Sequence, residues 1–133
     1  MRKWIVVLSF VLLVVGCDER EKVAVYQSVN DEQNKQEIQH LLKEANVIDE
    51  ANVILLNDEL FVAMQVKPWK KWNRMKVEES WKKKLEQKFT DLNVTVSTDF
   101  KLFWETSKIL EEQDQQDVHE KIQVLKKLAK EET

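Results

Sequence analysis

The chain of 133 residues has few of the residues that shape tight loops and crosslinks: one glycine, one proline and one cysteine. Because the only glycine is Gly16, no glycine-rich loop beyond it can cradle a phosphate group. The single cysteine, Cys17, cannot form an intramolecular disulfide, which excludes a disulfide-stapled scaffold. The length suits one small domain with a single hydrophobic core.

The charge balance is mildly acidic, with 21 basic and 24 acidic side chains and a formal net charge of −3 at pH 7. This balance is not typical of a general nucleic-acid binder, so no nucleic-acid partner is predicted. His40 and His119 are the only histidines, and no group of His, Cys, Asp and Glu has zinc-ligand spacing. No serine lies in a nucleophile-elbow sequence, and the paired carboxylates fall on charged helix faces. The sequence therefore predicts a non-enzymatic protein without a metal or cofactor.

The first 16 residues have the pattern of a signal peptide. Arg2 and Lys3 form a short positive segment, and residues 4–15 are apolar except for Ser9. As a helix this run would be roughly 18 Å long, shorter than the ~30 Å hydrocarbon core of a bilayer. It is interpreted as the hydrophobic region of a signal peptide, with an uncleaved anchor helix as the alternative.

The apolar run ends in Val14-Val15-Gly16-Cys17, and charged residues follow at once. This junction resembles the lipobox of bacterial lipoproteins, although Leu is usual where Val14 stands. The resemblance implies fatty acylation of Cys17 (palmitate, for example), cleavage before that residue and a location on the outer side of the cell membrane. Two acyl chains on one residue are sufficient for stable anchoring.

Helical and strand patterns alternate after residue 30. Residues 30–46 predict a helix, because Ile38, Leu41, Leu42 and Ala45 fall on one face. Residues 53–56 and 60–66 predict a hairpin around an Asn-Asp-Glu turn, and residues 23–26 are either a small edge strand or part of a spacer. The remaining pattern predicts a helix over 75–90, a strand over 93–97, a helix after Asp99 that carries Phe100 and Trp104, and an amphipathic helix over 118–130.

The order α-β-β-α-β-α predicts an α+β fold with a three-stranded mixed sheet and helices on one face, plus a C-terminal helix. The third strand is expected parallel to the second and beside the first. The order is similar to that of the BON module, as an analogy of fold. The predicted organisation is a signal peptide (1–16), a lipidated tether (17–29), an α+β domain (30–112) and a C-terminal amphipathic helix (113–133). That last helix either packs on the core or contacts a partner.

Three features resemble the sporulation lipoproteins of endospore-forming bacteria, YhcN/YlaJ type. They are the lipobox, the hairpin of residues 51–63 with its Asn-Asp turn, and the Val-x-Val-Ser-x-Asp element of residues 94–99. The resemblance covers residues 30–112 and the leader. It implies a membrane-anchored, non-enzymatic role in the spore envelope, germination or outgrowth, at the cell membrane or the forespore membrane. It implies no catalytic residues.

One segment combines tryptophan with basic residues. From Lys67 to Lys88 there are nine basic and three acidic residues. Tryptophan suits the headgroup level of a membrane and basic side chains attract anionic lipid, so the segment predicts a general cell-envelope module that binds anionic lipid or a phosphate-rich wall polymer. The alternative is that the tryptophans fold back onto the core. The candidate contact residues are Lys67, Trp69, Lys70, Lys71, Trp72, Arg74 and Lys76.

Overall fold

The computed structural model describes residues 22–28, 31–112 and 115–131. The predicted signal peptide and Cys17 lie outside these residues. In the described part of the chain there are four strands, four α-helices and one 3-10 helix. They follow in the order β1 (Val23–Gln27), α1 (Glu32–Glu44), β2 (Ile48–Leu55), β3 (Glu59–Val66), the 3-10 helix (Pro68–Asn73), α2 (Arg74–Lys88), β4 (Asn93–Ser97), α3 (Phe100–Glu112) and α4 (Gln115–Glu131).

The strands form one mixed sheet in the order β1-β2-β3-β4, which confirms the predicted α+β class. β2 and β3 make the expected antiparallel hairpin, while β1 pairs parallel with β2 and β4 pairs parallel with β3. The prediction of three strands was wrong, because residues 23–27 form an edge strand. The last strand was also misplaced: it lies beside β3, since β1 occupies the outer side of β2.

Helices cover both faces of the sheet, so the prediction of helices on one face was wrong. Val53 of β2 and Val62 of β3 lie in a core closed by α1 and α2, whereas Ile54 and Phe61 lie in a second core closed by α3 and α4. The physical reason is the composition of β2 and β3, whose side chains are apolar on both faces. Each face must be shielded from water for the hairpin to be stable.

A buried amide fixes α3 on its side of the sheet. The Nδ2 atom of Asn52, on β2, has three acceptors within hydrogen-bond distance for its two N–H groups: the Phe103 carbonyl at 3.0 Å, Thr106 Oγ1 at 3.1 Å and Ser107 Oγ at 2.7 Å. A buried amide costs free energy unless it is hydrogen-bonded, so these contacts favour one placement of α3.

The C-terminal helix α4 packs on the domain, which decides between the two alternatives left open by its sequence. Val118, Ile122 and Leu125 are buried in the second core. Each such side chain contributes about 1.5–3 kcal/mol when fully buried. The cores therefore draw on residues before 30 and after 112 as well as on the segment between them.

An ion pair joins α4 to the hairpin turn. The Glu59 side chain is buried, with 7% of the residue exposed. Its Oε1 accepts a hydrogen bond from Lys126 Nζ at 2.6 Å, and its Oε2 accepts one from Gln123 Nε2 at 3.1 Å. Burial by itself raises the pKa of the Glu59 carboxyl group, but the hydrogen bonds from Lys126 and Gln123 outweigh it and the pKa is lowered. The ionised carboxylate is thus the form that holds α4.

Replacing Glu59 with glutamine should weaken this attachment. We expect Glu59→Gln to lower the free energy of unfolding at pH 7 by about 1–3 kcal/mol, because a charge-assisted hydrogen bond is lost. Since the folded-state pKa is lowered, the stabilisation is present above the unfolded pKa and is lost as pH falls through the folded value. Denaturant unfolding across pH 3–7 should therefore show a smaller acid-induced loss in the variant. Glu120→Gln, at an exposed position of α4, is the control. An equal effect of both substitutions would contradict the role of the Glu59 carboxylate in holding α4.

Candidate membrane-facing surface

The connections of the sheet bring several separate segments to one end of it. β1 and β2 begin at the end where β3 and β4 finish, because Val23 lies opposite Ala51, Ile48 opposite Val66, and Ala63 opposite Ser97. We call this the basal end. It carries Lys22, the 3-10 helix and the start of α3, which are far apart in the sequence.

The two tryptophans of the 3-10 helix are exposed at the basal end. Trp69 is 62% exposed and Trp72 is 82% exposed, and no residue of the 3-10 helix is buried. Trp72 Nε1 donates to the Trp69 carbonyl at 3.0 Å, which restrains one indole relative to the other. The interpretation in which both rings fold back onto the core is therefore not what the structure shows.

Lys67 and Lys22 link the 3-10 helix to the beginning of the domain. Lys67 Nζ pairs with Asp49 Oδ1 at 2.9 Å, and Lys22 Nζ donates to the Lys43 and Ala45 carbonyls at 3.1 and 2.9 Å at the end of α1. Burial and then the positive charge of Lys67 lower the pKa of Lys22, and Asp49 opposes them. These two ammonium groups are thus close enough to influence each other.

The position of Lys22 at the basal end bears on the predicted lipid site. Cys17 precedes Lys22 by five residues in the sequence. Five residues span at most about 17 Å when fully extended. A lipid on Cys17 would consequently lie within reach of the basal end.

The other predicted contact residues surround the same end. Lys71, Arg74 and Lys76 are exposed, and Lys70 is half-buried. Lys71 and Arg74 line a groove of about 320 Å³ together with Phe100. An Arg74 guanidinium nitrogen is 3.5 Å from the Thr98 carbonyl oxygen, so α2 and the start of α3 meet here. The structure therefore brings basic side chains from the segment of residues 67–76 next to an aromatic ring from another element.

Sequence reasoning missed the aromatic part of α3. Phe100 is 69% exposed and Trp104 is 53% exposed, one helical turn apart, and Lys108 Nζ lies 3.6 Å from the centre of the Trp104 ring. The signal was the spacing of the core-facing residues Leu102, Thr106 and Ile109, which leaves positions 100 and 104 on the outer face of the helix. We call the exposed rings of Trp69, Trp72, Phe100 and Trp104 the basal aromatic surface.

Other chemistry is not assembled in the described residues. His40 is exposed and lies 3.3 Å from Glu44, and His119 is exposed on α4. Within residues 22–28, 31–112 and 115–131, no three side chains of His, Cys, Asp or Glu form a group able to hold a metal ion. The helices of this same part of the chain are all too short or too polar to cross a membrane. Comparison with protein-family models, with curated proteins and with solved structures found no match.

The exposure of Trp69 and Trp72 predicts how their removal affects stability. Trp69→Ala and Trp72→Ala should change the free energy of unfolding by about 0.5 kcal/mol or less, because neither ring is packed. Trp81→Ala should cost about 3–5 kcal/mol, because Trp81 is buried in the first core. Guanidinium unfolding followed by circular dichroism measures all three variants. A large loss for Trp69→Ala or Trp72→Ala would mean that the rings are part of the core.

Proposed function

We propose that this protein is a lipid-anchored, non-enzymatic envelope protein whose basal end contacts an anionic surface outside the cytoplasmic membrane. The observation that carries the proposal is the exposure of Trp69 and Trp72 beside Lys67, Lys70 and Lys71, at the end of the sheet where the chain enters from Cys17. The anchor and the surface would then act on the same side of the domain.

The magnitudes favour a contact that assists the lipid anchor. Each lysine or arginine close to an anionic bilayer contributes ~1 kcal/mol, and tryptophan rings settle at the headgroup level. A few such residues give weak binding for a free domain. A lipid on Cys17 would raise the local concentration of the basal end at the bilayer, so that weak contacts suffice to orient the domain.

The chemistry recognised is a phosphate group among apolar neighbours. Lys71 and Arg74 can donate to phosphate oxygens, and Phe100 offers an apolar ring next to them in the same groove. Anionic phospholipid supplies both parts. A phosphate-rich wall polymer supplies the phosphate alone, so the contribution of the aromatic rings distinguishes the two sources.

Flotation with liposomes tests the proposed surface. The unlipidated chain from residue 18 onward should float with vesicles rich in phosphatidylglycerol and stay behind with phosphatidylcholine vesicles. Trp69→Ala with Lys70→Ala should lower the bound fraction about fivefold to tenfold, and binding should weaken with added salt. Lys83→Ala with Lys88→Ala, on exposed positions of α2, is the control. If the basal variant floats like the parent protein, residues 67–76 are not the contact site.

We further propose that the protein acts during sporulation, in the spore envelope, germination or outgrowth. The support is the resemblance of the leader, the hairpin of residues 51–63 and the element of residues 94–99 to sporulation lipoproteins. This setting is compatible with anionic-surface contact, because both place the domain outside the cytoplasmic membrane.

A C-terminal fluorescent fusion, followed in growing and in sporulating cells of the source bacterium, tests this setting. We expect signal around the forespore only during sporulation, and a Cys17→Ser variant should release that signal from the membrane. Uniform signal around growing cells that does not change on sporulation would remove the sporulation role. It would leave a constitutive envelope-binding lipoprotein.

A further inference from the structure

The outer edge of β4 is an unpaired sheet edge. β4 is the last strand in the order β1-β2-β3-β4, and no other described strand pairs with its outer side. Asn93 N donates to the Asp58 carbonyl at 2.8 Å, so the backbone groups of residue 93 face the β3 side. Because these directions alternate along a strand, the N–H and C=O groups of Val94 and Val96 face outward. Such groups are a template for another strand.

A groove of about 710 Å³ lies over this edge. Its floor includes Val94 and Val96, one wall is formed by α2 and the other by the last turns of α4. Met75 of α2 and Ala129 of α4 add apolar surface to the walls. An added strand would lie ~4.8 Å from β4, and it would run along the floor of this groove.

The walls favour a single extended segment over a second copy of this chain. In edge-to-edge pairing a second copy would bring its own α2 and α4 against those of the first. Four helical walls would then have to fit around the shared edge, because the groove of each copy lies between its α2 and α4. A peptide in extended conformation has no such walls and can enter between the helices.

The charges of the groove indicate the composition of that segment. Four lysines and two glutamates line it: Lys76, Lys82, Lys126, Lys130, Glu78 and Glu79. Glu78 is turned toward the backbone N–H of Thr98, which donates to it at 2.8 Å. Glu79 makes only an exposed helix ion pair with Lys83, at 3.5 Å, and such pairs contribute little. Lys126 is already paired with Glu59, and Lys82 makes only an exposed pair with Glu86 at 3.9 Å. The positive charge that the groove offers to a ligand therefore comes mainly from Lys76 and Lys82.

We propose that the β4 edge and its two helical walls bind an extended, acidic peptide segment of a partner protein by strand addition. The outward groups of Val94 and Val96 would form the main-chain hydrogen bonds, and Lys76 and Lys82 would contact acidic side chains. This site lies along the side of the sheet, and Lys76 is the one predicted membrane-contact residue that also lines the groove.

Two synthetic probes test the proposal with the full-length protein in nonionic detergent. One is a fluorescent peptide of alternating valine and glutamate, and the other alternates valine and lysine. We expect saturable binding of the acidic probe by fluorescence anisotropy and binding at least tenfold weaker for the basic one. Bound acidic probe should slow amide hydrogen exchange at Val94 and Val96, whereas the inward-facing amides of residues 93, 95 and 97 are already protected.

Two sets of variants assign the binding to the groove. Lys76→Glu with Lys82→Glu should weaken binding of the acidic probe about tenfold or more. The control, Lys88→Glu with Lys127→Glu, makes the same change of net charge outside the groove and should leave the binding of this probe unchanged. Val94→Pro removes one outward N–H group and leaves the β3 ladder intact, so about tenfold weaker binding is expected. Circular dichroism checks the fold of each variant. No saturable binding, equal binding of both probes, or binding without protection at Val94 and Val96 would overturn the proposal.

Discussion

The two central strands carry apolar side chains on both faces, and the hairpin persists only when water is excluded from both. Val53 and Val62 face α1 and α2, while Ile54 and Phe61 face α3 and α4. The rest of the chain is arranged around this requirement. Even the terminal helix α4 is held over the sheet, by apolar burial and by the buried pair of Glu59 with Lys126.

This arrangement determines where the exposed aromatic residues lie. With β1 parallel to β2 and β4 parallel to β3, the start of the domain, the 3-10 helix and the start of α3 all reach the basal end. Residues such as Leu102 close the cores there, and the rings of Trp72 and Phe100 stay largely in contact with solvent. Exposed rings beside basic residues are typical of a membrane interface, which is the basis of the proposed contact.

The basal end and the groove over β4 are different kinds of surface. The basal end combines exposed rings with lysine and arginine, and it suits a phosphate-bearing layer. The groove offers Val94 and Val96 backbone groups between two helices, and it suits an extended peptide. If the basal end contacts a membrane, the strands point away from it and the groove opens to the side. Both surfaces could then be occupied at the same time.

The sequence by itself determined the elements that carry a clear local signal. The helix containing Ile38 and Leu42 and the strand of Asn93–Ser97 were predicted from periodicity, and the hairpin around residues 57–59 from two β-rich segments joined by turn residues. Such signals depend only on neighbouring residues. The candidate contact residues stay a prediction, made from a segment of lysine and tryptophan. Only the tertiary structure decided that β1 joins the sheet, that helices cover both faces, and that Trp72 and Phe100 share one exposed end. Those outcomes depend on which surfaces distant segments cover, and no local pattern records that choice.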